Sequence, residues 1–217
     1  MTPSSIYKTD RGFTLIELLV VMALGLVVLG AVLNIFIKQN ETSQAQQEIA
    51  YAQQNVRAAM DLMMREIRNA GYDPTGNAFA GGQQVIPVAT GTTLEVRSDY
   101  RGDDPWDPPD GAVDDPNEDV TYSVNASSQI LRNGQILVDS PGGLSFGYVL
   151  KDLTVYDPPG PGDPPLVLTP DQMADVRAVI IFVDVMTADR APDTGEYRMR
   201  PLMNATSIRN LRFKDVS

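Results

Sequence analysis

Residues 13–37 read FTLIELLVVMALGLVVLGAVLNIFI and hold one charged side chain, Glu17. A helix rises ~1.5 Å per residue, so this stretch covers about 37 Å, enough to span a hydrocarbon core of about 30 Å with some tilt. Lys8 and Arg11 precede the run and Lys38 follows it. Positive charge before the run favours a cytoplasmic N-terminus. The stretch therefore predicts a single membrane helix, with the rest of the chain beyond the inner membrane.

Two ordinary explanations fit this stretch less well. A secretory signal has an apolar region of about 7–15 residues followed by a small-residue cleavage site, whereas this run is longer and no A-x-A follows it. An ordinary anchor would not carry a carboxylate near the start of its apolar segment. Such a charge costs roughly 2.5–3.5 kcal/mol at the membrane centre and less near the edge. Glu17 therefore needs a positive partner.

The segment Arg11–Val20, RGFTLIELLV, resembles the processing and methylation motif of type IV pilins and type II secretion pseudopilins. The resemblance implies that residues 1–12 are a leader, which a prepilin peptidase removes by cutting between Gly12 and Phe13. It implies that Phe13 is then N-methylated and that Glu17 pairs with the N-terminal amine of a neighbouring subunit. The implied partners are other pilins or pseudopilins of one filament, the prepilin peptidase and the inner membrane.

Residues 38–71 predict a helical stem that continues the membrane helix. Positions 39–70 contain neither Gly nor Pro, and their apolar residues follow the three-four spacing of one buried face. Gly71 and Pro74 are expected to end the helix. Residues 62–74, LMMREIRNAGYDP, are similar to the stem end of PilW-type minor pilins and the J pseudopilin. Ile208–Arg212, IRNLR, resembles the C-terminal strand of that group.

Residues 72–217 predict a β-rich head outside the membrane. The expected strands are 84–89, 93–98, 119–124, 129–132, 135–139, 144–150, 176–186 and 200–210, bounded by Gly, Pro and Asn. Asn133-Gly134 predicts a two-residue hairpin turn. Two Pro-rich stretches, 103–116 and 157–170, are expected to be loops. The predicted fold is α+β, with a long N-terminal helix packed on antiparallel sheet.

The amino-acid composition argues against several classes of function. The chain has no Cys and no His, which excludes disulfides, thiolate zinc sites, Cys nucleophiles and Ser-His-Asp triads. A net charge of −11 argues against nucleic acid as a partner, because phosphate binding needs clustered Lys and Arg. The lack of Cys also excludes the C-terminal disulfide loop that is usual in major pilins. Because the residues of these common catalytic sites are absent, the chain is predicted not to be an enzyme.

An acidic loop lies between Asp99 and Asp119, where nine carboxylates accompany Arg101 alone. Ca²⁺ takes six to eight oxygen ligands and suits this composition, although the spacing is not that of an EF-hand. A solvated acidic surface without metal explains the loop equally simply. A glycosidase carboxylate pair is a third interpretation, but no spacing supports it. The candidate Ca²⁺ ligands are Asp103, Asp107, Asp110, Asp114, Asp115 and Glu118.

These features predict a structural minor pilin or pseudopilin that initiates or caps a type IV pilus or type II secretion pseudopilus. One alternative is a major subunit of such a filament. A different class is a membrane-anchored binding protein or hydrolase that uses the acidic loop. Deleting Gly12 would distinguish a pilin from an anchored enzyme, because the enzyme would keep its activity whereas the pilin would fail to mature and assemble.

Overall fold

The computed structural model describes residues 13–102, 104, 106–139, 143–160, 163–190 and 197–214, with the backbone alone at 186–190, 197–200 and 212–214. The chain divides into two compact units, Met1–Gln47 and Glu48–Ser217. Their residues form one long helix followed by two antiparallel sheets, so the predicted α+β class is confirmed.

Helix α1 spans Leu15–Asn69. Thr14 caps its start, because the Thr14 hydroxyl accepts the N–H of Glu17 at 3.3 Å. At the other end Gly71 adopts a φ of +72°, a left-handed conformation that favours glycine and ends the helix. The side-chain amide of Asn210 donates to the carbonyls of Asn69 and Ala70, at 3.0 and 3.2 Å. The predicted limits of 13 and 70 are thus correct to within two residues.

The first sheet is a five-stranded meander in the order β1-β2-β3-β4-β5. Its strands are β1 (Val88–Ala89), β2 (Thr93–Arg97), β3 (Asp119–Val124), β4 (Ile130–Arg132) and β5 (Gln135–Val138). The β4–β5 turn has positive φ at both Asn133 and Gly134, 49° and 75°. This is the backbone of a type I′ hairpin, so the prediction at Asn133-Gly134 is confirmed.

The second sheet has the order β7-β6-β8-β9. Its strands are β6 (Leu144–Leu150), β7 (Val155–Tyr156), β8 (Val176–Arg190) and β9 (Tyr197–Ser207), with short helices α2 (Pro170–Ala174) and α3 (Arg209–Lys214) before β8 and after β9. Thr169 caps α2 in a capping box with Gln172.

One core joins the C-terminal part of α1 to both sheets. The buried face of α1 consists of Ile49, Val56, Ala59, Met60, Met63 and Ile67. Tyr122 of β3 and both Phe146 and Tyr148 of β6 are fully buried among the same cluster. The three-four spacing predicted for this part of the helix is therefore the packing face.

A polar network also ties α1 to the first sheet. The Tyr122 hydroxyl donates to the Glu66 carboxylate, and Arg132 binds the same carboxylate through Nη2 at 2.8 Å and Nε at 3.2 Å. The Glu66 and Arg132 side chains are only 18% and 20% exposed. Burial, and then the hydrogen bond to Glu66, raise the pKa of Tyr122, which keeps its hydroxyl protonated as a donor.

The C-terminal end of the chain differs from the prediction. The expected strand 200–210 ends at Ser207, and the segment Ile208–Arg212, thought to resemble a C-terminal strand, enters α3 instead. Ser207 pairs with Ala178, and the N–H of Ile208 bonds to the Arg177 carbonyl. Because β8 begins at Val176, it offers β9 no further residues to pair with beyond this point. The chain therefore continues as a helix and not as a strand.

One predicted strand is shorter than expected. The strand expected at 84–89 is reduced to Val88–Ala89, because Pro87 has no N–H to donate to a ladder. The loop predicted at 157–170 is confirmed over its described residues, apart from an isolated bridge between Val167 and Thr90 and the last residue, Pro170, which begins α2. The strand β7 was not expected.

Candidate functional site

Phe13 and Glu17, two of the predicted processing and assembly residues, lie at the start of α1. Phe13 is 83% exposed and immediately precedes the capping residue Thr14. Glu17 lies in the first helical turn, where the positive end of the helix dipole favours a carboxylate. Among the described residues it forms no salt bridge. Gly12, the other predicted processing residue, lies outside the described residues.

The first half of α1 exposes its apolar side chains on every face. From Phe13 to Ile37 the large apolar side chains are 52–83% exposed. Its most apolar 18-residue stretch has a mean hydropathy of 2.8, and by length and composition the helix is able to cross a membrane. A surface of this kind is stable only against lipid or other apolar helices.

The acidic loop is fastened at its base by Glu118, which is buried. Its carboxylate accepts the N–H groups of Tyr100 at 2.6 Å, Arg101 at 3.0 Å and Asp115 at 3.3 Å. The Glu118 carbonyl also accepts the N–H of Ser98. Glu118, predicted as a metal ligand, therefore points its carboxylate at the backbone of the loop itself.

Three of the predicted metal ligands come together. Asp110, Asp114 and Asp115 each offer a carboxylate oxygen within 4.8 Å of the others. Asp107 is exposed and stands outside this group, and Asp103 lies outside the described residues. The Asp110 carboxylate also accepts the N–H of Ala112 at 2.9 Å, which fixes the turn that carries it.

Asp99 is the residue that the sequence did not single out. It is fully buried, although it was counted only as one of nine loop carboxylates. One carboxylate oxygen accepts the N–H of Gly111 at 3.0 Å, while the other, Oδ1, has no hydrogen-bond partner among the described residues. Burial raises the pKa of Asp99, and the nearby carboxylates Glu118, Asp110 and Asp73 add to the shift.

An apolar cavity of the head lies apart from this acidic group. A cavity of about 370 Å³ is lined by Phe79, Gly82, Gln83, Gln84, Val85, Ile86, Met173, Ala174 and Leu211. None of these lining residues carries a carboxylate, so the cavity gives no support to the hydrolase hypothesis.

Residues 7–33 match the prokaryotic N-terminal methylation motif. No curated protein and no solved structure matches the chain. The motif is that of structural, non-enzymatic type IV pilin-like precursors, and with the apolar N-terminal helix it supports membrane anchoring, prepilin peptidase processing and N-methylation. The resemblance given by RGFTLIELLV is thus confirmed at this level.

Proposed function

We propose that this protein is a structural minor pilin or pseudopilin that initiates or caps assembly of a type IV pilus or a type II secretion pseudopilus. The observation that carries the proposal is the methylation motif at 7–33, which overlaps the first half of α1, where the large apolar side chains are exposed on all sides. A helix of this kind needs a membrane before assembly and packs against its neighbours in a filament afterwards.

In this proposal residues 1–12 are the leader, 13–37 the membrane and filament-core helix, 38–71 the stem and 72–217 the head beyond the inner membrane. The peptidase cuts between Gly12 and Phe13, and the new N-terminus becomes N-methylated. Glu17 then pairs with the amine of the neighbouring subunit. A carboxylate in an apolar surrounding is tolerated when a cation neutralises it, and the adjacent subunit supplies that cation.

A minor position is favoured over a major one by two features of the chain. Residues 62–74, which include the last residues of α1, resemble the stem end of PilW-type minor pilins. The chain also lacks the cysteines of the disulfide loop usual in major pilins. Mass spectrometry of purified filaments measures this directly, since a minor subunit is present in few copies and a major subunit forms the shaft.

The first test concerns processing in a host that has a prepilin peptidase. Mass spectrometry of the membrane protein should find an N-methylated N-terminus at Phe13. A Gly12→Val variant should accumulate with the leader attached, because the peptidase no longer meets an unhindered backbone. An intact leader on the wild-type protein, or a cut elsewhere, would refute the proposal.

The second test concerns Glu17. Glu17→Leu should insert into the membrane at least as well as wild type, because it removes an intramembrane charge. Its amount in the filament fraction should fall by about tenfold or more, because the neighbouring amine loses its partner. Glu41→Gln is the matched control, as it neutralises an exposed carboxylate of α1 beyond the apolar run and should assemble normally. Equal assembly of Glu17→Leu and wild type would remove Glu17 from the assembly contact.

A further inference from the structure

A stripe of charged side chains runs along the outer side of the last turns of α1. Its members follow one another at spacings of three or four positions, so they share one face of the helix. They are Arg57, Asp61, Arg65 and Arg68, and all four are exposed. Three positive charges against one negative make this arginine stripe basic, in a chain whose net charge is −11.

The head does not neutralise this stripe within its described part. None of the salt bridges among the described residues involves these arginines. Arg65 donates from Nε to the backbone carbonyl of Asp61 at 3.3 Å, which directs no carboxylate to its guanidinium. Together with Met64 and Arg68, these two residues line a groove of about 460 Å³. The stripe is therefore a basic helix face that the described part of the chain leaves uncovered.

The acidic loop between Asp99 and Asp119 begins beside the end of the same helix. The N–H of Asp99 bonds to the carbonyl of Tyr72 at 2.8 Å, so the chain enters the loop close to the last turn of α1. Trp106, the single tryptophan of the protein, lies in this loop and is 95% exposed. The exposed carboxylates of the loop are Asp104, Asp107, Asp110 and Asp114.

We propose that the arginine stripe of one copy binds the acidic loop of a second copy of this chain. The two surfaces carry opposite charge, and both lie at the C-terminal end of α1. Two copies standing side by side with parallel helices therefore bring the loop of one copy to the stripe of the other. Arg and Trp are among the residue types enriched where interfaces gain most binding energy, and Trp106 adds a cation–π contact to a guanidinium.

This contact joins two different surfaces, so each copy keeps one of them for a further neighbour. It deepens the proposed function, on which it rests for the parallel placement of copies anchored in one membrane. What it adds is the partner, a second copy of the same chain held through charge on the stem. One such contact needs only two copies, so it also holds for a subunit present in small number.

Disulfide cross-linking of the full-length protein, in the membrane of a host with a prepilin peptidase, tests the contact because the chain has no Cys of its own. One copy carries Gln54→Cys on the face of the stripe, and an epitope-tagged copy carries Pro108→Cys in the loop; both positions are exposed. Mild oxidation should join the two variants. Asn55→Cys, exposed on another face of α1, is the matched control and should give at least about fivefold less dimer with the same tagged copy.

Charge reversal then identifies the two surfaces. Arg65→Glu/Arg68→Glu in the stem copy should lower the yield of dimer at least about fivefold, because like charges then face each other. Asp104→Lys/Asp107→Lys, at exposed positions of the loop copy, should lower it to a similar extent. Combining the two reversed copies should restore at least about half of the original yield, since opposite charges meet again.

Four results would each overturn the proposal: no dimer from the unreversed pair, equal yields from Gln54→Cys and Asn55→Cys, an unchanged yield in the reversed variants, or no recovery in the combined pair. If a reversed variant does not reach the membrane, Arg68→Gln or Asp107→Asn replaces it and should lower the yield about twofold.

The N-terminus of the same material separates this result from a failure of the proposed function. A protein that begins at Phe13 but gives no cross-link contradicts the contact alone, whereas a retained leader contradicts the proposed function.

Discussion

Both ends of α1 carry apolar side chains, but only the C-terminal end buries them in the core of the head. Between Leu15 and Ile37 the apolar side chains are more than half exposed on all sides of the helix. In the last six turns one face of the helix is buried, and there Val56, Met63 and Ile67 have no exposed surface at all. The N-terminal end of α1 therefore exposes its apolar side chains, whereas the C-terminal end buries them in the head.

This difference shows which contacts the chain supplies and which it needs from elsewhere. The buried end draws its stability from the two sheets, through packing and through the Glu66–Arg132–Tyr122 network. The exposed end has no such contacts among the described residues, and burying a large apolar side chain is worth roughly 1.5–3 kcal/mol. Lipid, and later neighbouring subunits, are the partners that the proposed function gives it.

The largest effect is expected at the buried end. Met63→Ala should reduce the free energy of unfolding of the head by about 2–5 kcal/mol, through lost transfer energy and the cavity that remains. Leu24→Ala, in the exposed end, should leave it unchanged. Urea unfolding of full-length protein in detergent measures both, followed by near-UV circular dichroism of the buried Tyr122 and Tyr148. Trp106 is a poor reporter because it is 95% exposed.

If Leu24→Ala destabilised the head as much as Met63→Ala, the two ends of the helix would share one folding unit and the comparison would fail. If neither variant had an effect, the C-terminal end of α1 would not belong to the core.

An intermediate effect is expected from the polar network. Arg132→Met should cost about 1.5–3 kcal/mol, because it leaves the partly buried Glu66 carboxylate with the Tyr122 hydroxyl alone. Adding Glu66→Gln should recover part of that loss, since the amide oxygen still accepts the Tyr122 hydroxyl. Arg57→Met, on an exposed part of α1, is the control and should have little effect. The double-mutant cycle uses the same urea unfolding, and strictly additive losses would show that Glu66 and Arg132 are not coupled.

Much of the fold could be predicted because its signals are local. The helix ends where Gly71 appears, and the β4–β5 hairpin forms at Asn133-Gly134, since both depend on which residues accept a positive φ. The end of β9 was missed because it depends on where its partner β8 begins, which is a non-local fact. The helix α2 was missed although Thr169 and Gln172 formed a readable capping signal.

The candidate sites divide in the same way. The motif from Gly12 to Glu17 is contiguous in the chain, so its resemblance is visible in the sequence alone. Six metal ligands were predicted in the acidic loop from composition, and among those that the structure describes only Asp110, Asp114 and Asp115 lie together. Glu118 and Asp99 are both buried, but their carboxylates differ in their contacts. Glu118 binds backbone N–H groups, whereas Asp99 keeps an oxygen without a partner among the described residues. Burial is set by the packing of the whole head, and composition does not reveal it.

The smallest expected effect comes from Asp99, which sharpens the comparison because the head also holds a buried carboxylate oxygen that no described residue binds. Because its pKa is raised in the folded protein, protonation of Asp99 favours folding. That stabilisation is complete below the unfolded pKa of about 3.9 and is lost as the pH rises through the folded pKa.

Asp99→Asn keeps an acceptor for the N–H of Gly111 and adds an amide donor toward the nearby carboxylates Asp110 and Glu118. In EDTA at neutral pH it should therefore raise Tm, by about 2 °C for this chain length. The gain should shrink as the pH falls through the raised folded pKa of Asp99, because the wild-type carboxyl is then neutral as well. Thermal scans across this pH range measure the effect, with Asp104→Asn as the exposed control. A lower Tm for Asp99→Asn in EDTA at neutral pH would show that the buried carboxylate stabilises the head without metal.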